Sequence, residues 1–311
     1  MKAVLCKAFG GGLSLDDIAP PAAGAGACIV EIKAVGLNFF DTLIIEGKYQ
    51  VKPPLPFSPG GEFAGICEGR RVMGYCGHGA ARQAIAIAPE KLAAIPDGVS
   101  FEAAACLAIA YGTTLHALRD RANLKPGETL AVLGASGGTG QAAVELGKLM
   151  GARVIACASS DEKAAFCKDM GADDVVNYTV ADLKSALKEL TGGKGVDVIY
   201  DPVGGALAEP ALRAIAWGGR YLVIGFASGD IPKLPLNLAL LKGCDILGVF
   251  WGAHVEREPA RHIANMKTLL AWTAERRIAP HIHRTYALDE TVHALAAIAA
   301  REVKGKAVIT L

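Results

Sequence analysis

Thr129-Leu130-Ala131-Val132-Leu133 runs straight into Gly134-Ala135-Ser136-Gly137-Gly138-Thr139-Gly140, which opens onto Gln141-Ala142-Ala143-Val144-Glu145-Leu146. A short aliphatic run, a glycine-rich turn and an alanine-rich amphipathic stretch spell strand, tight turn and helix. Glycines let such a turn bring its backbone against a pyrophosphate, and the helix behind it presents free amides and the positive end of its dipole. The same residues also suit a plain βα turn with no ligand. What lies on either side separates the two readings.

Apolar, β-rich runs recur at Thr129–Leu133, Arg153–Ala158, Asp174–Tyr178, Asp197–Asp201, Arg220–Gly225 and Asp245–Phe250, their starts about 20 to 25 residues apart. Helix-length amphipathic stretches, Gln141–Met150, Asp161–Met170 and Ala181–Leu190, separate the first four. Near-continuous apolar strands alternating with helices make a parallel sheet covered on both faces. Six of them predict a doubly wound, Rossmann-type α/β domain, which favours the dinucleotide reading of the turn. Residues before about 112 differ. Pro20-Pro21, Pro53-Pro54, Pro59-Gly60-Gly61 and Pro96-Asp97-Gly98 punctuate short alternating strands such as Cys28–Val35 and Gln83–Ala88. That pattern is an irregular, mainly antiparallel β domain. A helix-like segment, Leu288–Ala300, and a final β pattern, Gly305–Leu311, fall outside the six-strand series. The expected organisation is a discontinuous catalytic substrate domain, 1–112 plus 256–311, with a dinucleotide-binding domain, 113–255, inserted.

The 311 residues suffice for two domains with real cores. A formal net charge of +1 argues against a nucleic acid or an anionic membrane as the dominant partner. Lys2 and Lys7 interrupt the N-terminal apolar run, which reads as a first strand rather than a leader. No apolar run of about 18 residues stands out, so no membrane span is expected. The eight cysteines include no CxxC pair, and several lie in strand-like segments, which suits a reducing, cytoplasmic location.

NAD binders place an acid about 20 residues beyond the turn, at the end of the second strand, for the ribose 2′-hydroxyl. Here that strand ends Ala156-Cys157-Ala158-Ser159-Ser160, and Asp161 and Glu162 fall into the next helical turn. Small hydroxyls leave room for a 2′-phosphate that Lys163 can pair with, which favours NADPH. Ser159 with Glu162 also fits a capping box, which needs no ligand.

The chain resembles the zinc-independent quinone oxidoreductase branch of the medium-chain dehydrogenase/reductase superfamily. The resemblance rests on Gly36-Leu37-Asn38-Phe39-Phe40-Asp41, Gly47-Lys48-Tyr49, Pro59-Gly60-Gly61-Glu62-Phe63-Ala64-Gly65, Tyr111-Gly112-Thr113, the glycine turn, Asp201-Pro202-Val203-Gly204-Gly205 and Gly305-Lys306-Ala307-Val308. It implies a GroES-like catalytic domain around the Rossmann unit, hydride transfer from NADPH to a quinone-like acceptor in the cleft between the domains, and a homodimer. In the zinc-dependent relatives, a cysteine stands three residues before the aspartate matching Asp41, and a histidine precedes the glutamate matching Glu62. This chain has Asn38 and Gly61 there, so a thiolate and an imidazole are missing from the usual site and no catalytic metal is expected. Charge on the acceptor oxygen must then be met by hydrogen-bond donors, each worth about 3 kcal/mol in a dry, preorganised site. By resemblance, Asn38 lies beside the nicotinamide, Tyr49 borders the substrate cleft and Asp41 organises the loop. The cofactor set so implied is Asn38, Thr113, Ser136, Gly137, Gly138, Thr139, Gly140, Ser159, Ser160, Lys163, Tyr178, Val203, Gly225, Phe250 and Trp251. The bland readings are a turn residue for Asn38, a strand-end aromatic for Tyr178, and core packing or a dimer contact for Phe250 and Trp251. His78, His116, His281 and His283 show no metal-ligand spacing.

Two departures stand out. Glu62–Gly74 is about a dozen residues shorter than the family pattern: either two strands meet in a tight turn at Gly69-Arg70, or a loop is missing. Leu43 stands where some relatives carry a second tyrosine. Reduction of an activated C=C bond (enone, enal, 2-haloacrylate or enoyl thioester) is the alternative activity. An NADPH-binding protein with little catalysis is the alternative from another class; the intact Asn38 and Tyr49 weigh against it.

Overall fold

The computed structural model describes residues 1–24 and 26–311, and the chain forms two compact units. One comprises Met1–Gly112 with Gly252–Leu311, the other Thr113–Trp251. In the first unit β1 (Lys2–Cys6) and β2 (Leu13–Asp17) form an antiparallel pair. There follow β3 (Cys28–Leu37), α1 (Phe39–Ile45), β4 (Glu62–Cys67), β5 (Arg70–Tyr75), β6 (Ala84–Ile87) and β7 (Leu92–Ala94).

The second unit alternates strand and helix: β8 (Thr129–Leu133), α2 (Gly138–Leu149), β9 (Arg153–Ala158), α3 (Asp161–Asp169), β10 (Asp174–Asn177), α4 (Leu183–Leu190), β11 (Val196–Asp201), α5 (Ala208–Arg213), β12 (Ile215–Val223), α6 (Asn237–Lys242) and β13 (Asp245–Gly248). All pairings are parallel and the order is β10-β9-β8-β11-β12-β13, the doubly wound sheet that the sequence predicts. Leu130, Val132, Ile155, Val198, Ile199 and Leu222 are fully buried, as strands covered on both faces require. The chain winds outward from β8 to β10, then returns to β11 on the other side of β8. Such a reversal opens a crevice at the carboxyl ends of the two strands. β13 ends at Gly248 rather than Phe250. β12 stops at Val223, so the ladder closes with Val249 N–H on the Val223 carbonyl at 3.0 Å, and Trp251 starts a helix.

Back in the first unit, β14 (Ile282–Ala287) and β15 (Lys306–Thr310) complete a mainly antiparallel sheet, β14-β15-β3-β4-β5-β7, with β6 also on β3. β3 is its hub. Gly36 pairs with Glu62 of β4 on one side and Val308 of β15 on the other. β4 and β5 join through two residues, Glu68 (φ 49°) and Gly69 (φ 76°), with Cys67 paired to Arg70. Positive φ at both positions is the type I′ hairpin, whose twist matches the strands, so the short segment closes as a tight turn.

The expectation of no long apolar stretch needs correction. The helical stretch Phe101–Arg121 contains an 18-residue window apolar enough to cross a membrane. That window is 83% buried inside the protein.

Candidate active site

The glycine turn lies at the reversal point of the second unit's sheet. Gly137 is the N-cap of α2 and no side chain caps the helix, so its first amides face outward uncapped. A Cβ on Gly137 would meet only the Gly134 carbonyl oxygen, at 3.5 Å, and otherwise stand in open space over the helix start. A Cβ on Gly140 would lie 2.3 Å from that same oxygen, so only glycine lets the helix sit this close to the turn. An open floor of backbone amides on a 12-residue helix fits a pyrophosphate.

Residues the sequence reading missed hold this turn. The Thr114 hydroxyl bonds the Tyr200 hydroxyl at 2.8 Å and donates to the Thr139 carbonyl at 3.3 Å, tying the helix start to β11. Thr113, the expected cofactor residue, is its buried neighbour. At the end of β11 the Asp201 carboxylate accepts from the amides of Val203 (2.7 Å) and Gly204 (2.8 Å) and from the Tyr221 hydroxyl. Burial nonetheless raises the Asp201 pKa. The clamp sets Val203 against the turn: a Cβ on Gly134 would lie 2.8 Å from its Cγ2. Gly225, just past β12, donates to the Asp201 carbonyl at 3.3 Å. Ser136 is buried in the turn itself.

The carboxyl ends of β9 and β10 lie side by side, with the Tyr178 amide donating to the Ala158 carbonyl at 3.1 Å. The expected capping box on Ser159 does not form. Ser160 is the N-cap of α3 and its hydroxyl accepts from the Lys163 amide at 3.2 Å, because β9 ends at Ala158 and the helix starts only at Asp161. Asp161 accepts from the Asn177 side chain at 2.8 Å, which occupies the nearest acid. Lys163 and Tyr178 are half-buried at this end of the sheet. Phe250 is 58% exposed and Trp251 is buried.

The first unit builds a polar cluster from strand register. Asn38 follows β3, and the pairs Gly36–Glu62 and Leu37–Ala307 place Glu62 on one side of it and Lys306 on the other. The Lys306 ammonium, 2% exposed, donates to the Leu37 carbonyl (2.9 Å), to Glu62 Oε1 (2.7 Å) and to Asn38 Oδ1. Asn38 Nδ2 donates to the same Glu62 oxygen at 2.8 Å and to the Gly36 carbonyl at 3.3 Å. Glu62 Oε2 accepts from the Ile109 amide at 2.8 Å. Losing either charge of such a buried pair costs roughly 3–5 kcal/mol. Asp41, buried in α1, accepts from the amides of Asn38 (2.8 Å) and Gly60 (3.0 Å) and so ties two loops together. Burial pushes its carboxyl up to about 7, against the pull of those two amides and of Lys306.

These contacts bind the Asn38 side chain at both ends. Both amide hydrogens are engaged, so its side chain is not a spare donor. Tyr49 stacks at a tilt on Phe40, ring centres 5.7 Å apart, and among the described residues its hydroxyl has no hydrogen-bond partner. Burial, and Asp41 after it, raises the Tyr49 pKa, so the hydroxyl keeps its proton.

Zinc does not fit this cluster. Asn38 brings an amide already used at both ends, and Glu62 is held by a lysine. A Cβ on Gly61 would lie 2.6 Å from Phe40 Cζ and 2.9 Å from the Gly77 carbonyl oxygen, so an imidazole has no room there.

Residues 24–97 match the family described as alcohol dehydrogenase GroES-like domain, and residues 138–271 the family described as zinc-binding dehydrogenase. The chain is 37% identical over 323 residues to quinone oxidoreductase-like protein 2 of Rattus norvegicus, covering 100% of this chain and 92% of the relative. It is 32% identical to a quinone oxidoreductase of Pseudomonas aeruginosa, covering 99% of each. The quinone oxidoreductase of Thermus thermophilus, whose structure is known with NADPH, superposes with a TM-score of 0.91 at 33% identity over 100% of both chains.

The buried carboxyl of Asp41 sets a pH dependence. Its pKa is higher in the folded protein than in the unfolded chain, so the stability it contributes is full below the ordinary aspartate range and is lost as pH rises towards about 7. Urea unfolding of wild type and Asp41→Asn will show their stability difference shifting against wild type across that window, by at most about 1.4 kcal/mol per pH unit. A difference that is flat or moves the other way shows the carboxyl to be ionised throughout.

Proposed function

This chain belongs to the quinone oxidoreductase branch of the medium-chain dehydrogenase/reductase superfamily, and from that premise we propose that it is a zinc-independent, NADPH-dependent reductase of quinones. The observation that carries this reading is the uncapped glycine turn at the reversal point of the sheet, with hydroxyls and a lysine where an NAD binder keeps its acid. Bound NADPH supplies the hydride. The amides of Gly138, Thr139 and Gly140 hold the pyrophosphate, on a floor set by Thr113, Ser136, Val203 and Gly225, with the Gly137 amide bracing the turn on the Gly134 carbonyl at 3.1 Å. Ser159, Ser160, Lys163 and Tyr178 take the 2′-phosphate of the adenosine. Asn38 borders the nicotinamide as a fixed carboxamide, Asp41 ties its loop, and the protonated Tyr49 hydroxyl meets the charge that develops on the acceptor oxygen.

The eight cysteines are all free thiols, which suits a reducing, cytoplasmic compartment. A homodimer completes the reading. Beside edge strand β13, the side chains of Trp217, Leu236, Leu240 and Leu241 stand 81%, 77%, 78% and 64% exposed, an apolar patch that a second copy would cover.

Three measurements test this. Fluorescence titration will show NADPH binding more tightly than NADH, and Lys163→Ala losing about tenfold for NADPH alone, the worth of one charge-assisted contact; equal wild-type affinities refute the 2′-phosphate site. Tyr49→Phe will lower quinone turnover about a hundredfold with NADPH affinity unchanged, as loss of one preorganised donor does. Unchanged turnover removes Tyr49 from the chemistry, and an enone reduced faster than any quinone by wild type replaces the acceptor class. In sedimentation, wild type will run as a dimer and Leu240→Asp as a monomer; a monomeric wild type overturns the dimer.

A further inference from the structure

We propose that Lys306 is a positioning residue for the reaction: with Glu62 it locks the Asn38 carboxamide in one of its two orientations. The inference rests on the reading above that Asn38 borders the nicotinamide.

A side-chain amide has two faces of nearly equal shape, and its oxygen and nitrogen exchange places by a half-turn of the last torsion. At Asn38 the neighbours break that symmetry. The ammonium of Lys306 can only donate, and it sits on Oδ1; the Glu62 carboxylate can only accept, and it sits 2.8 Å from Nδ2. The half-turn would set a donor against an ammonium and an acceptor against a carboxylate. Neither partner can yield. All three ammonium hydrogens have acceptors, in Leu37, Asn38 and Glu62, and the second Glu62 oxygen holds the Ile109 amide. Both side chains are essentially inaccessible to water, which could otherwise re-pair them. Glu62 and Lys306 lie in the two strands that flank β3, and Asn38 directly follows β3, so their spacing is set by the ladder.

Stability alone does not call for this arrangement. A well-packed apolar pair is commonly as stable as a buried ion pair or more so. A lysine with every hydrogen committed also cannot serve as a proton donor or an amine nucleophile without dismantling the cluster. What the pair does supply is direction. It leaves the remaining lone pair of Asn38 Oδ1, and the rim of the carboxamide, facing one way.

The double variant Glu62→Gln/Lys306→Met tests this with no buried charge left over. The glutamine introduced at position 62 can keep the Ile109 amide on its oxygen and turn its NH2 group to Asn38. Asn38 then presents Oδ1, so the carboxamide reverses, giving up the Lys306 bond to the Leu37 carbonyl and the Asn38 bond to the Gly36 carbonyl. The expected result is a kcat for quinone reduction about a hundredfold below wild type, as misorientation beside a reacting centre costs, with the NADPH Kd close to wild type and a lower melting temperature from the carbonyls of Gly36 and Leu37 that lose their donors. Adding Asn38→Ala should lower kcat no further than Asn38→Ala does alone, because both changes act through one group. Wild-type kcat in the double variant overturns the inference, as does a loss that adds in full to that of Asn38→Ala. If Asn38→Ala alone leaves kcat unchanged, the placement of Asn38 at the nicotinamide fails and the inference falls with it. If Asn38→Ala is slow but the double variant is fast, only the role of Lys306 fails.

Discussion

An ammonium group at 2% exposure must have its charge answered inside the protein, and the carboxylate that answers it is fully buried. That necessity fixes the meeting point of β3, β4 and β15. Lys306 lies at the start of the last strand and Glu62 at the start of β4, so a slip of one residue in either ladder would turn a charge to the opposite face with no partner. Register is therefore specified twice, once by apolar alternation and once by the pair. Asn38 and Asp41 inherit their positions from it, since Asn38 follows β3 directly and Asp41 holds the Asn38 amide.

The other unit solves its electrostatic problem with backbone. Asp201 at the end of β11 is a buried carboxyl that pairs with no cation among the described residues and accepts from two amides and the Tyr221 hydroxyl. By committing its lone pairs to the Pro202–Gly204 turn it fixes the chain that faces Gly134. Thr114 and Tyr200 do the same for Thr139. The result is a helix start that is held firmly from behind and left uncapped in front, the arrangement that an anionic ligand completes.

The sheet of this unit was legible because backbone periodicity writes itself into neighbouring residues. Every strand of the six and the turn between β8 and α2 can be read from windows of a dozen residues. Ends were less legible: Phe250 belongs by composition to a strand, but β12 had already run out of pairing positions, and the helix cap moved from Ser159 to Ser160 with the end of β9. The contact between Lys306 and Glu62 spans 244 residues and depends on register in two ladders, so no local pattern reports it. Gly305-Lys306-Ala307-Val308 could be quoted as a motif without disclosing what its lysine touches. The saturation of Asn38 was hidden for the same reason, since a residue's donors cannot be counted as spare until its neighbours are known. The type I′ turn at Glu68-Gly69 carries its glycine in plain view, but glutamate at the other left-handed position is a weak signal.

The charges of the Asn38 cluster also bear on which acceptors suit the site. Lys306 and Glu62 cancel, and Asp41, with its carboxyl pushed up to about 7, carries roughly half a charge at neutral pH rather than a full one. The Lys306 ammonium is turned inward on three oxygens, so its field at a substrate oxygen is largely balanced by the carboxylate beside it. Such a cluster holds geometry well and polarises poorly. A divalent ion would do the reverse, drawing electron density from any oxygen it touches. In the proposed site, with the protonated Tyr49 hydroxyl as donor, the help to developing charge is a few kcal/mol rather than the larger share a Lewis acid gives. A simple carbonyl leaves its developing charge on one oxygen and draws on that help in full. A quinone does not, because the negative charge left by hydride addition spreads through its conjugated ring and the product regains aromaticity. The weak electrophilic equipment of the proposed site and the proposed electron-poor acceptor are thus two sides of one constraint.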